Sequence, residues 1–146
     1  GRAAAHTGQC CGHWCGHRMD EDVSLAGNLL AGPQVLEQTA AAYEAARALP
    51  LAPRLIAAMR AGEAAGGDKR GKQSAALLIH GEEDWPELDL RVDDHPDPLN
   101  ELERLERVSR EHFVHFARFL PSKRDPVGII DRDVIEAELA KVVAQN

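Results

Sequence analysis

The sequence predicts an α+β domain that starts in mid-fold, and three observations predict it. Strand-like apolar runs lie on both sides of two helical stretches, Gly and Pro punctuation separates them, and the chain opens on a strand-like stretch with no hairpin or helix before it. The 146 residues suit one domain of ordinary size, and the 44% hydrophobic content is that of a packed core. Only 4% of residues are aromatic, so Leu, Ile and Val are expected to supply most of the buried area while alanines let helices pack closely.

Arg2 to Thr7 reads as a short strand. The first residue is Gly1, and a strand at a chain end leaves an edge that a complete domain pairs or covers, so at least one element is expected to be missing. Gly8 to His17, rich in Gly, Cys and His, lacks apolar periodicity and reads as a connection. Val23 to Leu30 is a strand that Gly32-Pro33 ends. A helix from about Pro33 to Ala48 is expected to bury Val35, Leu36, Thr39, Ala42, Tyr43 and Ala46. Pro50 and Pro53 divide it from a second helix, carrying Leu55, Ile56 and Met59 and ending at Gly66-Gly67 in a left-handed cap; the two form an antiparallel pair.

Gln73 to His80 reads as an interior strand, and after a turn from Gly81 to Pro86 the alternation of Leu88, Leu90 and Val92 with Asp89, Arg91 and Asp93 gives a half-buried one. Asp97-Pro98 opens a helix, with the carboxylate at the N-cap, that turns Leu99, Leu102, Leu105 and Val108 inward and runs on through Phe116 to Pro121. A basic turn, Ser122 to Arg124, leads to a last helix capped by Asp131 or Asp133 and packed through Ile135, Leu139 and Val142. Residues 1–120 are expected to form the domain and 121–146 a helical extension.

A net charge of −7 argues against a nucleic-acid partner, because phosphate binding needs clustered Lys and Arg. The sequence has no bilayer-length apolar run and no charged-then-apolar opening, so no membrane partner is expected and a cytoplasmic location is. Cys10, Cys11 and Cys15 stand so close that a disulfide among them would close a tiny loop and leave one thiol over; reduced thiols are expected.

Three segments carry chemistry. In AAGGDKRGKQSAAL, residues 64–77, Asp68, Arg70, Gln73 and Ser74 cluster where a strand begins. A glycine cap with a solvated turn explains Gly66 and Gly67 but not that cluster. The segment nearly spells a phosphate loop, but Gln73 holds the Ser/Thr position and the order runs helix to strand, which turns no helix N-terminus toward a phosphate. Asp93-Asp94-His95-Pro96-Asp97 sets three carboxylates and an imidazole at a strand end, able to hold a cation, orient His95 or bind a hard metal, or to serve as a cap with a solvated turn. The loop residues His6, Cys10, Cys11, His13, Cys15 and His17 include zinc-ligand types but come from one loop without paired-ligand spacing, so no metal is assigned; His112 and His115 read as a surface pair. Asn28, a polar residue in an apolar strand, reads as a buried amide that ties strands or donates to an oxyanion.

HTG (6–8), CGHWCGHR (11–18), GNLLAG (27–32), AGEAAGGDKRGKQSAALL (61–78) and DLRVDDHPDP (89–98) resemble, in order, the DUF1028 family, grouped with the N-terminal-nucleophile (Ntn) hydrolases. The resemblance implies an αββα sandwich in which a terminal Thr, Ser or Cys attacks an amide with its own α-amino group as base. It also implies that the nucleophile belongs to strands preceding Arg2, since Gly1 has no attacking side chain; this fragment alone is then inactive. On that reading Asp68, Arg70, Gln73 and Ser74 line a cleft for a small amide-type substrate, Asn28 stabilises an oxyanion, and Asp94 and His95 hold the polar network, with no cofactor. The alternative is a non-catalytic scaffold of the same fold that forms homo-oligomers or binds a small ligand.

Overall fold

The computed structural model describes residues 4–143. Mixed α/β as expected, the chain divides into two compact units: one takes in the chain as far as Ser74 together with Asp93–Leu99, the other Ala75–Val92 and the chain from Asn100. Among the described residues no helix is long and apolar enough to cross a membrane.

The first unit opens with an antiparallel hairpin, β1 (Trp14–Met19) and β2 (Ser24–Leu30), closed by a hydrogen bond from Asp20 N to Val23 O (2.9 Å). It departs from the sequence expectation in two ways. Of the opening strand expected over Arg2 to Thr7, Arg2 and Ala3 lie outside the described residues and 4–7 form no strand. The connection expected as far as His17 is already strand from Trp14 onward. WCGHRM has no alternating apolar pattern because Gly16 faces Gly27 across the ladder and the Trp14 ring lies over Gly16, where a Cβ would stand 2.8 Å from it. The register then slips: Trp14 faces Leu30 while Gly16 faces Gly27, so an extra residue of β2 bulges at Asn28-Leu29, and Leu29 adopts a left-handed φ of 60°.

Helices α1 (Gln34–Ala45) and α2 (Leu51–Ala64) pack as a pair around Val35, Leu36, Ala40, Tyr43, Ile56 and Ala58. The Arg54 guanidinium lies 3.4 Å over the Tyr43 ring, and its Nε donates to Tyr43 O at 2.8 Å. An ammonium cannot stack flat and donate from the same place. Arg54→Lys is therefore expected to cost about 2 kcal/mol in urea denaturation, because it removes a charged hydrogen bond and a half-buried cation–π interaction together; an unchanged midpoint would refute the clamp. At the end of α2, Gly66 N donates to Glu63 O (2.9 Å) and Gly67 N to Gly62 O (3.1 Å), a Schellman motif with both glycines at positive φ.

The second unit holds the hairpin β3 (Ala75–His80) and β4 (Pro86–Val92), with Leu77 opposite Leu90 and Ile79 opposite Leu88. The strand starts at Ala75, not Gln73, and it is not an interior one: its only hydrogen-bonded neighbour among the described residues is β4. Burial alternates as the pleat requires, Leu77 being covered while Leu78 is 55% exposed. Lys123 reaches back to the turn of this hairpin, its N–H bonding the Glu83 carboxylate and its Nζ pairing with Asp84 at 2.7 Å, while Arg124 pairs with Glu82 at 3.1 Å.

Helix α3 (Pro98–Glu111) starts where expected but stops at His112, whose φ of −143° breaks the run; α4 (Phe113–Phe116) and a 3₁₀ turn (Ala117–Phe119) follow. Val108, expected to face inward, is exposed, whereas Glu106 and Ser109 are buried with Leu99 and Leu102. The reason is phase: steps of three residues fall short of a turn by about 60° each, so three of them carry Val108 to the face opposite Leu99. Helix α5 (Arg132–Val143) is capped by Asp131, whose Oδ1 accepts from Asp133 N (3.0 Å) and Val134 N (3.4 Å).

Candidate functional site

All seven residues singled out in the sequence fall in the first unit. The Schellman turn sends the chain back along the bulged end of β2: Ala31 N donates to Gly67 O (3.0 Å), Lys69 N to Leu29 O (2.8 Å), and Asp68 bridges to Leu30 in antiparallel fashion. The bulge and the turn therefore meet, which sets Asp68 beside the strand that carries Asn28. The Asp68 carboxylate accepts from Arg70 N (2.8 Å), Nε (2.9 Å) and Nη2 (2.6 Å). This bidentate grip, with the backbone bond behind it, holds the Asp68 carboxyl down to about 2.

A carboxyl depressed in the folded state stabilises it above the unfolded value and loses that contribution as pH falls through the folded value. The Asp68 contribution is thus intact above about pH 4 and lost on the way to about pH 2. Carboxyl NMR should show Asp68 titrating at the bottom of that window, and Arg70→Ala should move it upward toward the ordinary range. A titration in Arg70→Ala indistinguishable from the parent would refute the grip.

The other group forms where the chain enters β3 and leaves β4. Gln73 O accepts from His95 N (2.9 Å), and Gln73 Nε2 donates to Asp94 Oδ1 (3.2 Å), so one residue fixes two of the DDHPD segment. His95 Nδ1 accepts from Asp97 N (3.0 Å), which leaves the proton of the neutral ring on Nε2 as a donor. Lys72 Nζ contacts Glu63 and also Asp97 (3.3 Å), and these carboxylates, Glu63 foremost, raise its ammonium above the ordinary lysine value.

Two candidates sit differently from expectation. Asn28 is not a buried amide: it is exposed at the bulge, its Oδ1 accepting from Leu29 N (2.9 Å), and its NH₂ makes no hydrogen bond among the described residues. Ser74 is exposed, its hydroxyl making no hydrogen bond among the described residues. Lys72, Glu63 and Leu29 were missed as contributors. Lys72 was visible as one charge in a polar string, but no local signal marks a glutamate in the last turn of α2 or a leucine in a left-handed bulge. Thr7 Oγ1 and His17 Nδ1 share a hydrogen bond of 2.7 Å at the base of the Cys/His loop, and among the described residues no three His, Cys, Asp or Glu side chains gather as a metal site.

A mixed α/β protein with small antiparallel sheets carries this polar constellation at its strand ends. The chain belongs to the DUF1028 family, described as a family of unknown function, whose model matches residues 1–102 and so includes every residue of the constellation. Among solved structures it is similar to a crystal structure of protein SPO2555 from Silicibacter pomeroyi, of the same family, at 32% identity and a TM-score of 0.69 over 81% of this chain. The chain spans about half the length of that protein, 50% of it being covered. No curated protein matches.

Proposed function

We propose that the chain is one part of an Ntn-hydrolase-like amidohydrolase with an αββα sandwich. It supplies substrate-holding and polar-network groups, while the attacking residue comes from a part of the domain outside this sequence. The observation that carries the reading is the bonding of Gln73 to both Asp94 and His95 at the ends of two strands, a pre-set polar network of the kind a reaction centre needs. In that network His95 offers an Nε2 proton; the separate group at the β2 bulge adds the Asn28 amide N–H as a donor to a developing oxyanion and the Arg70 guanidinium, oriented by Asp68, as positive charge for a polar substrate group. The spanning of half of SPO2555 agrees with a missing portion.

The test is made on the protein carrying the sequence upstream of Gly1. A free terminal Thr, Ser or Cys should be trapped as an acyl-enzyme by a reactive amide or lactone, and Asp94→Asn should lower kcat/KM for the amide cleaved by about a hundredfold through lost positioning. No trapping and no amide hydrolysis across a broad panel would sink the reading. A second reading, a non-catalytic scaffold that assembles with its own copies, is favoured by the exposed apolar stretch Val127, Ile129 and Ile130, the last 82% exposed. Sedimentation showing a monomer at all concentrations would remove it.

A further inference from the structure

A hollow of about 350 Å³ lies wholly within the second unit, between the β3–β4 turn and the helical stretch after α3, and shares no residue with the groups assigned to amide hydrolysis. Its size falls within the ~300–1,000 Å³ of small-molecule sites. One wall carries Trp85 and Glu87. The other carries Val114, Ala117 and Arg118, whose i, i+3, i+4 spacing sets them on one helical face, with Leu120 just beyond. The walls are tied together at their ends. Lys123 N donates to the Glu83 carboxylate (3.0 Å) and Lys123 Nζ to Glu82 O (2.5 Å), while Ile129 N donates to Phe119 O (2.9 Å) at the back of the second wall. A hollow held in this way needs little ordering when a ligand enters.

Its surface is unusual in two respects. Trp85, Phe113 and Val114 are 42%, 47% and 37% exposed, three large apolar side chains gathered on one concavity, where a ligand can cover them. The charges are divided as well. Lys123 and Arg124 are occupied by the carboxylates of the turn, Lys123 with Asp84 and Arg124 with Glu82, and Glu83 takes the Lys123 N–H. Arg118 and Glu87 are not occupied: both are exposed, both line the hollow, and among the described residues neither makes an ion pair or hydrogen bond, with the other or with any third group. Opposite charges that line one hollow without meeting are complementary to a molecule that carries both.

We propose that this hollow binds a small apolar zwitterion, an α-amino acid or dipeptide, with its carboxylate on the Arg118 guanidinium, its ammonium on the Glu87 carboxylate and its apolar side chain against Trp85 and Leu120. The planar guanidinium fork suits a carboxylate bidentately, and Glu87 can accept only from a donor such as an ammonium. A ligand with one charge would cover the hollow yet leave Arg118 or Glu87 without its partner, so the site selects for the zwitterion over its singly charged forms.

The test follows the indole N–H signals of the two tryptophans by NMR as leucine and, separately, leucyl-leucine are added to the isotope-labelled chain. The Trp85 signal should shift and saturate with a Kd on the order of 1 mM for at least one of them, while the Trp14 signal stays in place. A shift with leucine alone identifies a free amino acid as the ligand, and a shift with leucyl-leucine alone a short peptide. The N-acetylated and the C-amidated form of whichever binds should each bind about tenfold more weakly. Arg118→Gln should bring the zwitterion down to the level of its amidated form, and Glu87→Gln to that of its acetylated form. A Trp85 signal unmoved by either ligand at about 10 mM, or blocked forms that bind as tightly as the zwitterion, would each overturn the proposal. Blocked and unblocked ligands are compared on the parent protein, so that result holds whether or not a variant folds.

Discussion

Gly66→Ala is expected to destabilise the protein by about 3 kcal/mol, with Gly71→Ala costing only about 1 kcal/mol beside it. Both glycines hold a positive φ, 121° and 105°, so both substitutions strain the backbone. They differ in what the new methyl meets. At Gly66 a Cβ would stand 2.6 Å from the Ala31 Cβ, an atom fixed to its backbone and unable to rotate away, whereas at Gly71 nothing lies within 4 Å. The difference between the two variants therefore measures the clash, and the cost at Gly71 measures the strain. Because Ala31 N and Lys69 N are the amides that bind the turn to β2, hydrogen exchange at those two positions should rise in Gly66→Ala while α1 stays protected. Equal costs at the two glycines would show that the turn yields freely and does not hold Asp68 in place.

The parts of the fold legible in the sequence are those whose cause is local. Gly32-Pro33, Pro50 and Gly66-Gly67 punctuate α1 and α2 by their own backbone restrictions, and the alternation of Leu88, Leu90 and Val92 marks β4 without knowledge of its partner. β1 was hidden because what makes WCGHRM a strand is on the other strand: Gly27 opposite Gly16, and a bulge that lets Trp14 reach Leu30. The apolar run of β3 misled for a related reason, since a continuous run reads as burial on both faces although its pleat leaves Leu78 in solvent. The candidate site divides in the same way. Its residue types crowd into two short strings and can be picked out one string at a time, but that Gln73 joins them, or that Lys72 spans from Glu63 to Asp97, depends on pairings across 21 to 25 residues that no string contains. Whether a polar amide in an apolar strand is buried depends likewise on a bulge set by the neighbouring strand.

Leu102→Ala is expected to cost about 3–5 kcal/mol, and Val108→Ala, six residues further along the same helix, less than about 0.5 kcal/mol. A strict three-residue spacing would put both side chains on one buried stripe, and the two truncations would then be comparable. The helix has 3.6 residues per turn, so the buried line passes from Leu99 through Leu102 to Glu106 and Ser109 and leaves Val108 43% exposed while Leu102 has no exposed surface at all. Truncating Leu102 opens a cavity and forfeits its whole transfer energy; truncating Val108 removes atoms already touching water. The buried line is kept polar at its far end because Glu106 pairs with Arg110 at 2.8 Å and Ser109 Oγ donates to Glu106 O at 2.7 Å, which satisfies groups that geometry, not hydrophobicity, has turned inward. Against a total stability of about 5–15 kcal/mol the first truncation removes a large fraction, so thermal unfolding of the pair distinguishes the two stripes directly: a Val108→Ala loss as large as that of Leu102→Ala would mean the helix is rotated from the face it shows here.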